Sequence, residues 1–410
     1  MFKFNKKNIL FALGLLSVST HSVYAQTDNK HVIVAPPCLI KNLNSPYQTL
    51  SSNTALSLVS VSDEGIDQLI EAKNNHKVLC GGFMDVTEAW NKQRSKKLSA
   101  EKNAQSFLDN YTQPARNALL ANNVSYEIKY EAQVTDLLKQ INPQNMWNNL
   151  TTITSYKDRY AKSDEGVQAA NWFKTQVETI AKNNNRNDVS VYLVSTGSDY
   201  IQPSVVAKVG NSNEPGIVIG AHMDTLSGAM SKKPGADDDG SGSVTVLEAA
   251  RTILSSNMTF KKPIYFIWYA AEEEGLVGSG RVVSEFKNKN IPVAAVLHFD
   301  LTGYAHNNEP TMWLIDDYVN KDLSAYLGKL ISTYVKQPIK HTKCGYACSD
   351  HASWTQAGYP AAIPAESAYA DTNPSIHSSR DTMDKLSLTH MTDYLKLATA
   401  FAVEMAEPVA

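Results

Sequence analysis

The sequence predicts an α/β fold: a mixed, mostly parallel central sheet flanked by helices. Two observations carry this expectation. From about residue 125 onward, short apolar segments alternate with segments whose apolar residues recur at helical spacing. Three of the apolar segments then run straight into ionisable residues: His222 and Asp224, Glu272 to Glu274, and Asp300. In open α/β sheets, ligands bind beyond the carboxyl ends of the strands. These groups are therefore expected to converge on one edge of the sheet.

The chain opens outside that fold. Lys3, Lys6 and Lys7 precede an apolar run over residues 9 to 18, and Val23 and Ala25 supply small residues for cleavage. This is the pattern of a secretory signal peptide, residues 1–25, cut after Ala25. An uncleaved anchor is the alternative, but the apolar run is short for a membrane span. Residues 26–120 are rich in Ser, Asn and Lys and include a basic polar tract at 91 to 103. They read as a propeptide or accessory segment, or as a small permanent domain. Residues 121–410 form the main domain. In it, "EAQVTDLLKQI" and "GVQAANWFKTQVETIA" have helical periodicity, as in Val167, Ala170, Phe173, Val177 and Ile180. "VSVYLVS" alternates and is β-branched, so it is a strand. "GIVIGAHMDT" is a buried strand, "GSVTVLEAARTIL" a helix, and "KKPIYFIWYAAEEEG" and "PVAAVLHFDLTG" are two more strands that end in acids.

Composition narrows the function. The chain has 410 residues, 43% hydrophobic, which is ample for a core, and a formal net charge of −3. No global basic field points to nucleic acid, and no apolar run beyond the N-terminus is long enough for a membrane anchor. Four cysteines, Cys38, Cys80, Cys344 and Cys348, all follow the signal. In an oxidising compartment an even count suggests two disulfides. Of the three pairings, separation along the chain favours Cys38–Cys80 and Cys344–Cys348.

The stretch "PGADDDGSGS" sets Asp237, Asp238 and Asp239 side by side. Adjacent carboxylates repel, and none is buried cheaply as a bare charge. A surface turn tolerates them; a divalent cation would use them. Together with His222, Glu272, Glu273, Asp300 and His377 they make a mixed imidazole and carboxylate set. Such donors suit zinc, and carboxylates can bridge two metals. Two dications match the charge better than one, and metal pairs of this kind serve hydrolysis.

"GAHMDT", "PGADDDGSG", "YAAEEEGLVGS", "HFDLTG", "CGYACSDHASWTQAGYPAAIPAES" and "NPSIHSSRDT" resemble the successive motifs of secreted bacterial leucine aminopeptidases of the Vibrio type, in the di-zinc M28 peptidase family. The resemblance runs from about residue 125 to the C-terminus. It implies a zinc-dependent exopeptidase fold and two zinc ions per chain. One would be held by His222 and Asp300, the other by Glu273 and His377, with Asp238 bridging. It implies Asp224 as the carboxylate that orients His222, Glu272 as general base, and Tyr346 as a hydrogen-bond donor to the oxyanion. It also implies a side-chain pocket over Leu301, Leu314, Cys344, Cys348, Ile363, Ala365, Tyr369, Thr372 and Ile376. Ala365 and Thr372 stand where the Vibrio-type enzymes carry bulky aromatics. The expected substrates are peptides with a free N-terminus, led by leucine or another bulky apolar residue. The expected protein is monomeric and extracellular or periplasmic. A single-zinc glutaminyl cyclase or a binding domain that has lost its metals would share the fold. The complete ligand set argues against both. Glu274 is expected to be solvated or capping, His351 to start a helix or to pack, and Trp268, Trp313 and Trp354 to pack in the core.

Overall fold

The protein is described by a computed structural model covering residues 31–73, 81–94, 97–112 and 126–409. The signal-peptide expectation at residues 1–25 and the Cys38–Cys80 pairing, through Cys80, fall outside the described residues.

The first unit is a four-stranded antiparallel sheet. Its strands are β1 (His31–Ala35), β2 (Gln48–Ser52), β3 (Ser57–Val61) and β4 (Met84–Asp85), in the order β2-β3-β1-β4. Helices α1 (Pro37–Ile40), α2 (Asp63–Lys73), α3 (Thr87–Gln93) and α4 (Ala100–Thr112) accompany it. Alternation along β1 and β3 splits the sheet into two apolar faces. Ile33, Val59 and Val61 meet Ile66 and Leu69 of α2 on one face. Val32, Val34 and Leu58 meet Phe107 and Leu108 of α4 on the other, and this cluster continues into Leu276, Ala347 and Ala352 of the main domain. The N-terminal unit is thus packed onto the rest of the chain through a shared apolar core.

The main domain begins with helices α5 (Glu131–Leu138), α6 (Pro143–Ile153) and α7 (Asp164–Asn183). Ser163 caps α7 by accepting from the Gly166 N–H at 3.0 Å. The sheet and helices then alternate: β5 (Val189–Val194), β6 (Ser204–Val209), β7 (Gly216–His222), α8 (Gly242–Ser255), β8 (Ile264–Tyr269), α9 (Val277–Asn288) and β9 (Val293–His298). They are followed by β10 (Met312–Ile315), α10 (Lys321–Leu330), β11 (Ile339–Thr342), α11 (His351–Gln356), β12 (Ala361–Ala362), β13 (Pro364–Ala365) and α12 (Leu388–Ala406).

The central sheet runs β12-β9-β7-β8-β6-β5. Pairs β12/β9, β9/β7 and β7/β8 are parallel, and β8/β6 and β6/β5 antiparallel. β8 shows why it is sandwiched. Ile264, Phe266 and Trp268 pack into one core with α6, α7, α8 and α12, while Tyr265, Ile267 and Tyr269 pack into another with α9 and Trp354 of α11. A strand buried on both faces needs this continuous apolar run. β10, β11 and β13 form a small second sheet beside the site. Among the described residues, no helix is long and apolar enough to cross a membrane.

Candidate active site

β9, β7 and β8 lie side by side and parallel, so their carboxyl ends open on one edge. His222 is the last residue of β7, Glu272 and Glu273 follow β8 closely, and Asp300 lies two residues beyond β9. The loop after β7 returns to the same edge and carries Asp238 just before α8. His377 arrives from the loop ahead of α12, its backbone at φ 60°. Ala271 at φ 50° and Leu301 at φ 59° are also left-handed, each next to a site acid. Non-glycine residues adopt this conformation mainly where surrounding structure imposes it, and they cluster at functional sites.

The geometry gathers two donor trios that share Asp238. His222, Asp238 and Asp300 offer ligand atoms within 4.8 Å of one another, as do Asp238, Glu273 and His377. His222 Nε2 lies 3.1 Å from Asp238 Oδ1 and 3.6 Å from Asp300 Oδ1. His377 Nε2 lies 2.8 Å from Asp238 Oδ2 and 3.3 Å from Glu273 Oε2. The two oxygens of Asp238 thus face different histidines. Asp224 sits behind: its Oδ1 lies 3.4 Å from His222 Nδ1, and its two oxygens accept the N–H groups of Glu272 and Glu273 at 3.0 and 3.1 Å. A carboxylate on the outer nitrogen fixes the ring of a metal-binding histidine.

Electrostatics test whether these residues fit a metal. Burial disfavours charge on His222, but Asp224, Asp238 and Asp300 outweigh it and raise its pKa well above the usual value. For His377 burial is likewise outweighed, by Glu273 and Asp238, and the pKa rises to about 10. Burial would raise Asp238, yet His377 and His222 hold it well below the ordinary carboxylate range. Both trios therefore set their histidines among carboxylates. A dication held by such a trio would offset the carboxylate charge and leave the imidazole neutral, as a ligand must be. Nitrogen and oxygen donors in groups of three, with room for water, suit zinc.

The triple-aspartate loop is no surface turn: all three residues are buried. Asp237 accepts from Gly303 N–H at 3.1 Å and Asn373 Nδ2 at 2.8 Å. Asp239 accepts from Gly242 and Leu301 N–H at 2.9 and 3.2 Å. The Asp238–Asp239 peptide is cis. Glu274 is also not solvated. It is buried, with Lys162 Nζ at 3.6 Å. Trp268 and Trp354 are fully buried, Trp313 is half-buried with Lys340 over its ring, and His351 opens α11.

A cavity of about 310 Å³ opens over Asp238, Glu272, Asp300 and His377. Leu301, Ile363, Ala365, Tyr369, Thr372 and Ile376 line it, together with Tyr346 and the two cysteines of the Cys344–Cys348 disulfide. Leu314 does not. It is buried in the main core, and its neighbour Ile315 lines the cavity instead. Successive strand residues point to opposite faces, so a shift of one residue exchanges core for pocket. The N-terminal unit reaches the same place. Gly81 lines the cavity, and a Cβ on Gly82 would lie 2.9 Å from the Tyr346 ring, so only glycine allows so close an approach.

Three supports were not anticipated. Asp381 accepts the N–H groups of Asp237 and Asp238 at 2.9 and 3.1 Å. Its signal was present, four residues after His377 in the same motif. Asn373, which holds Asp237, begins that motif. Buried Arg159 donates to the carbonyls of Met223, Pro234 and Gly235 at 2.7, 2.6 and 2.8 Å, tying the end of β7 to the aspartate loop. Nothing around Arg159 in the sequence marks it.

The family model of peptidase family M28 matches residues 204–402. Leucine aminopeptidase 1 of Paracoccidioides brasiliensis (strain Pb03) is 36% identical over 295 residues, 69% of this chain and 76% of that protein. The crystal structure of the Legionella pneumophila LapA aminopeptidase superimposes with a TM-score of 0.83 at 45% identity, covering 93% of this chain and 99% of that one. LapB from the same organism gives 0.83 at 40% identity, with 92% and 99% covered. Coverage of that extent takes in the N-terminal unit, for which the sequence had offered no counterpart. The chain belongs to peptidase family M28 and is a metallo-aminopeptidase.

Proposed function

We propose that the protein is an exported di-zinc aminopeptidase that removes one N-terminal residue at a time, with leucine or another bulky apolar residue preferred. The carrying observation is the pair of donor trios joined by Asp238, with Glu272 at the wall of the same cavity. Two zinc ions, one on His222, Asp300 and Asp238 and one on Glu273, His377 and Asp238, would bring the pKa of water to about 7 and polarise the scissile carbonyl. Glu272 takes the proton of the attacking water and returns it to the leaving amine. Tyr346 donates a hydrogen bond to the oxygen that gains negative charge. Glu273 and Asp300 place negative charge where the substrate's free α-amine docks, which limits cleavage to the first residue. The apolar wall of Leu301, Ile315, Ile363 and Ile376 receives the side chain.

In this reading residues 1–25 are a signal peptide, 26–120 a propeptide, and 121–410 the peptidase. The approach of Gly81 and Gly82 to Tyr346 supports a propeptide that restricts the site until it is cut away. The test is a panel of aminoacyl anilides, assayed before and after limited proteolysis, with Glu272→Ala beside wild type and zinc counted in both. Cleavage by wild type, its loss in the variant and about two zincs per chain in each uphold the reading. Two zincs with no hydrolysis of any unblocked substrate would overturn it.

A further inference from the structure

We propose that Tyr369 is a positioning residue: its hydroxyl donates to the Tyr346 hydroxyl and aims the Tyr346 proton at the reacting carbonyl oxygen. The inference rests on the aminopeptidase reading and on the role given there to Tyr346.

The two hydroxyl oxygens lie 3.3 Å apart, and the rings meet edge to face at 69° with centroids 6.1 Å apart. Both residues line the cavity over the donor trios. Each ring stands on an anchored backbone. Tyr346 lies inside the loop closed by Cys344–Cys348, and Asp317 accepts the N–H groups of Cys344 and Gly345 at 3.0 and 2.6 Å. Tyr369 opens a short 3-10 turn, Tyr369–Asp371. Its N–H donates to Thr342 Oγ1 at 3.0 Å, and its carbonyl accepts from Thr372 Oγ1 at 2.8 Å. The hydroxyl contact therefore joins two fixed supports.

A phenol has one proton to give and lone pairs to receive. If Tyr346 gave its proton to Tyr369, none would remain for substrate. With Tyr369 as the donor in the contact, a Tyr346 lone pair is turned toward Tyr369 and the Tyr346 proton is left for the cavity. A hydroxyl that accepts one hydrogen bond also donates a stronger one. Tyr369 thus does two things: its ring walls the side-chain pocket, and its hydroxyl sets the direction of the neighbouring donor.

The experiment is a double-mutant cycle on the zinc-loaded protein, processed as in the assay above, using Tyr369→Phe, Tyr346→Phe and the pair. Phenylalanine keeps the pocket wall and removes only the hydroxyl. Tyr346→Phe is expected to lower kcat on a leucyl anilide by on the order of 100-fold. Tyr369→Phe should lower it by about tenfold with KM changed less than about twofold, and add nothing in the Tyr346→Phe background. A second reading uses metal-free protein labelled with 13C at tyrosine Cζ. The Tyr346 resonance, assigned by its loss in Tyr346→Phe, should move in Tyr369→Phe. An unchanged kcat in Tyr369→Phe, an equal loss with and without Tyr346, or a Tyr346 resonance that stays put would each overturn the proposal. A harmless Tyr346→Phe would overturn it together with the role of Tyr346, while hydrolysis by wild type would leave the aminopeptidase reading standing.

Discussion

The runs Asp237–Asp238–Asp239 and Glu272–Glu273–Glu274 carry the same formal charge and meet different surroundings. In each, the middle residue belongs to a donor trio. The flanks differ. Asp237 and Asp239 both turn to backbone N–H groups, Asp237 also to Asn373, and serve to hold the loop. Glu272 faces the cavity, while Glu274 turns away to Lys162. The lesson is that a run of like charges folds when each carboxylate points to its own partner. Buried charge is tolerated only when hydrogen-bonded or paired. The aspartate run is built for rigidity on both sides. In the proposed mechanism the glutamate run gives one side, Glu272, to chemistry.

The most severe way to break the comparison is to unbridge the trios. Asp238→Asn keeps the shape of the loop but halves the charge offered to each centre. Activity on an aminoacyl anilide is expected to fall by more than about 10⁴-fold, beyond the usual range for losing a general base. Zinc counted by elemental analysis should fall with it. Retention of full zinc would show that the two trios do not depend on their shared residue.

The glutamate run then separates its own members. Glu272→Ala should cost roughly 10²–10⁴-fold in kcat with zinc retained. Glu274→Gln, two residues on, should keep both zinc and kcat within about threefold, since removal of one buried pair acts on stability and not on the reacting atoms. If both variants lost activity equally, the division between chemistry and support would fail.

The aspartate run is tested through its clamp. Asp381→Asn leaves one oxygen to accept but replaces the other with a donor that faces an N–H group. Outer-shell losses of this kind cost about 10–100-fold in metal affinity or activity. The expected signature is zinc that a chelator strips faster than from wild type. An unchanged stripping rate would mean that Gly303 and Asn373 suffice to hold the loop.

Legibility in the sequence followed the same divide. The strand ends were readable, because β7, β8 and β9 are apolar runs that stop at His222, Tyr269 and His298, and parallel neighbours align such ends. The donors were readable because six motifs occur in order. What a residue faces at single-residue resolution was not. Ile315 and Leu314 differ only in strand phase, which no turn nearby pins down. The burial of Glu274 is matched by Lys162, 112 positions away in sequence. Arg159 is an isolated cation whose partners are carbonyls, and carbonyls leave no trace in a sequence. The N-terminal unit was read only as a polar accessory segment. Its strands are at most five residues long, and one of its two apolar faces is completed by Leu276, Ala347 and Ala352 from the other unit.

The N-terminal unit offers a contrasting case, where two acids converge on one imidazole. His31 Nδ1 lies 2.8 Å from Asp85 and Nε2 lies 3.0 Å from Asp63. Burial works against its charge, but the two carboxylates win and raise its pKa above 6.5. A raised histidine stabilises the fold fully below its unfolded pKa, and that stabilisation is lost as pH climbs through the native value. The backbone N–H of Asp85 donates to the Gly275 carbonyl at 2.9 Å, directly after the glutamate run. Loosening His31 therefore acts at the seam between the two units. Protease cleavage within the N-terminal unit should accelerate as pH rises above about 6.5, while His31→Leu should be cleaved faster at pH 5.5 and lose that acceleration. Because Asp63 is largely exposed, high salt should weaken its share of the effect. Equal pH dependence in both proteins would place the seam's stability in its apolar contacts alone.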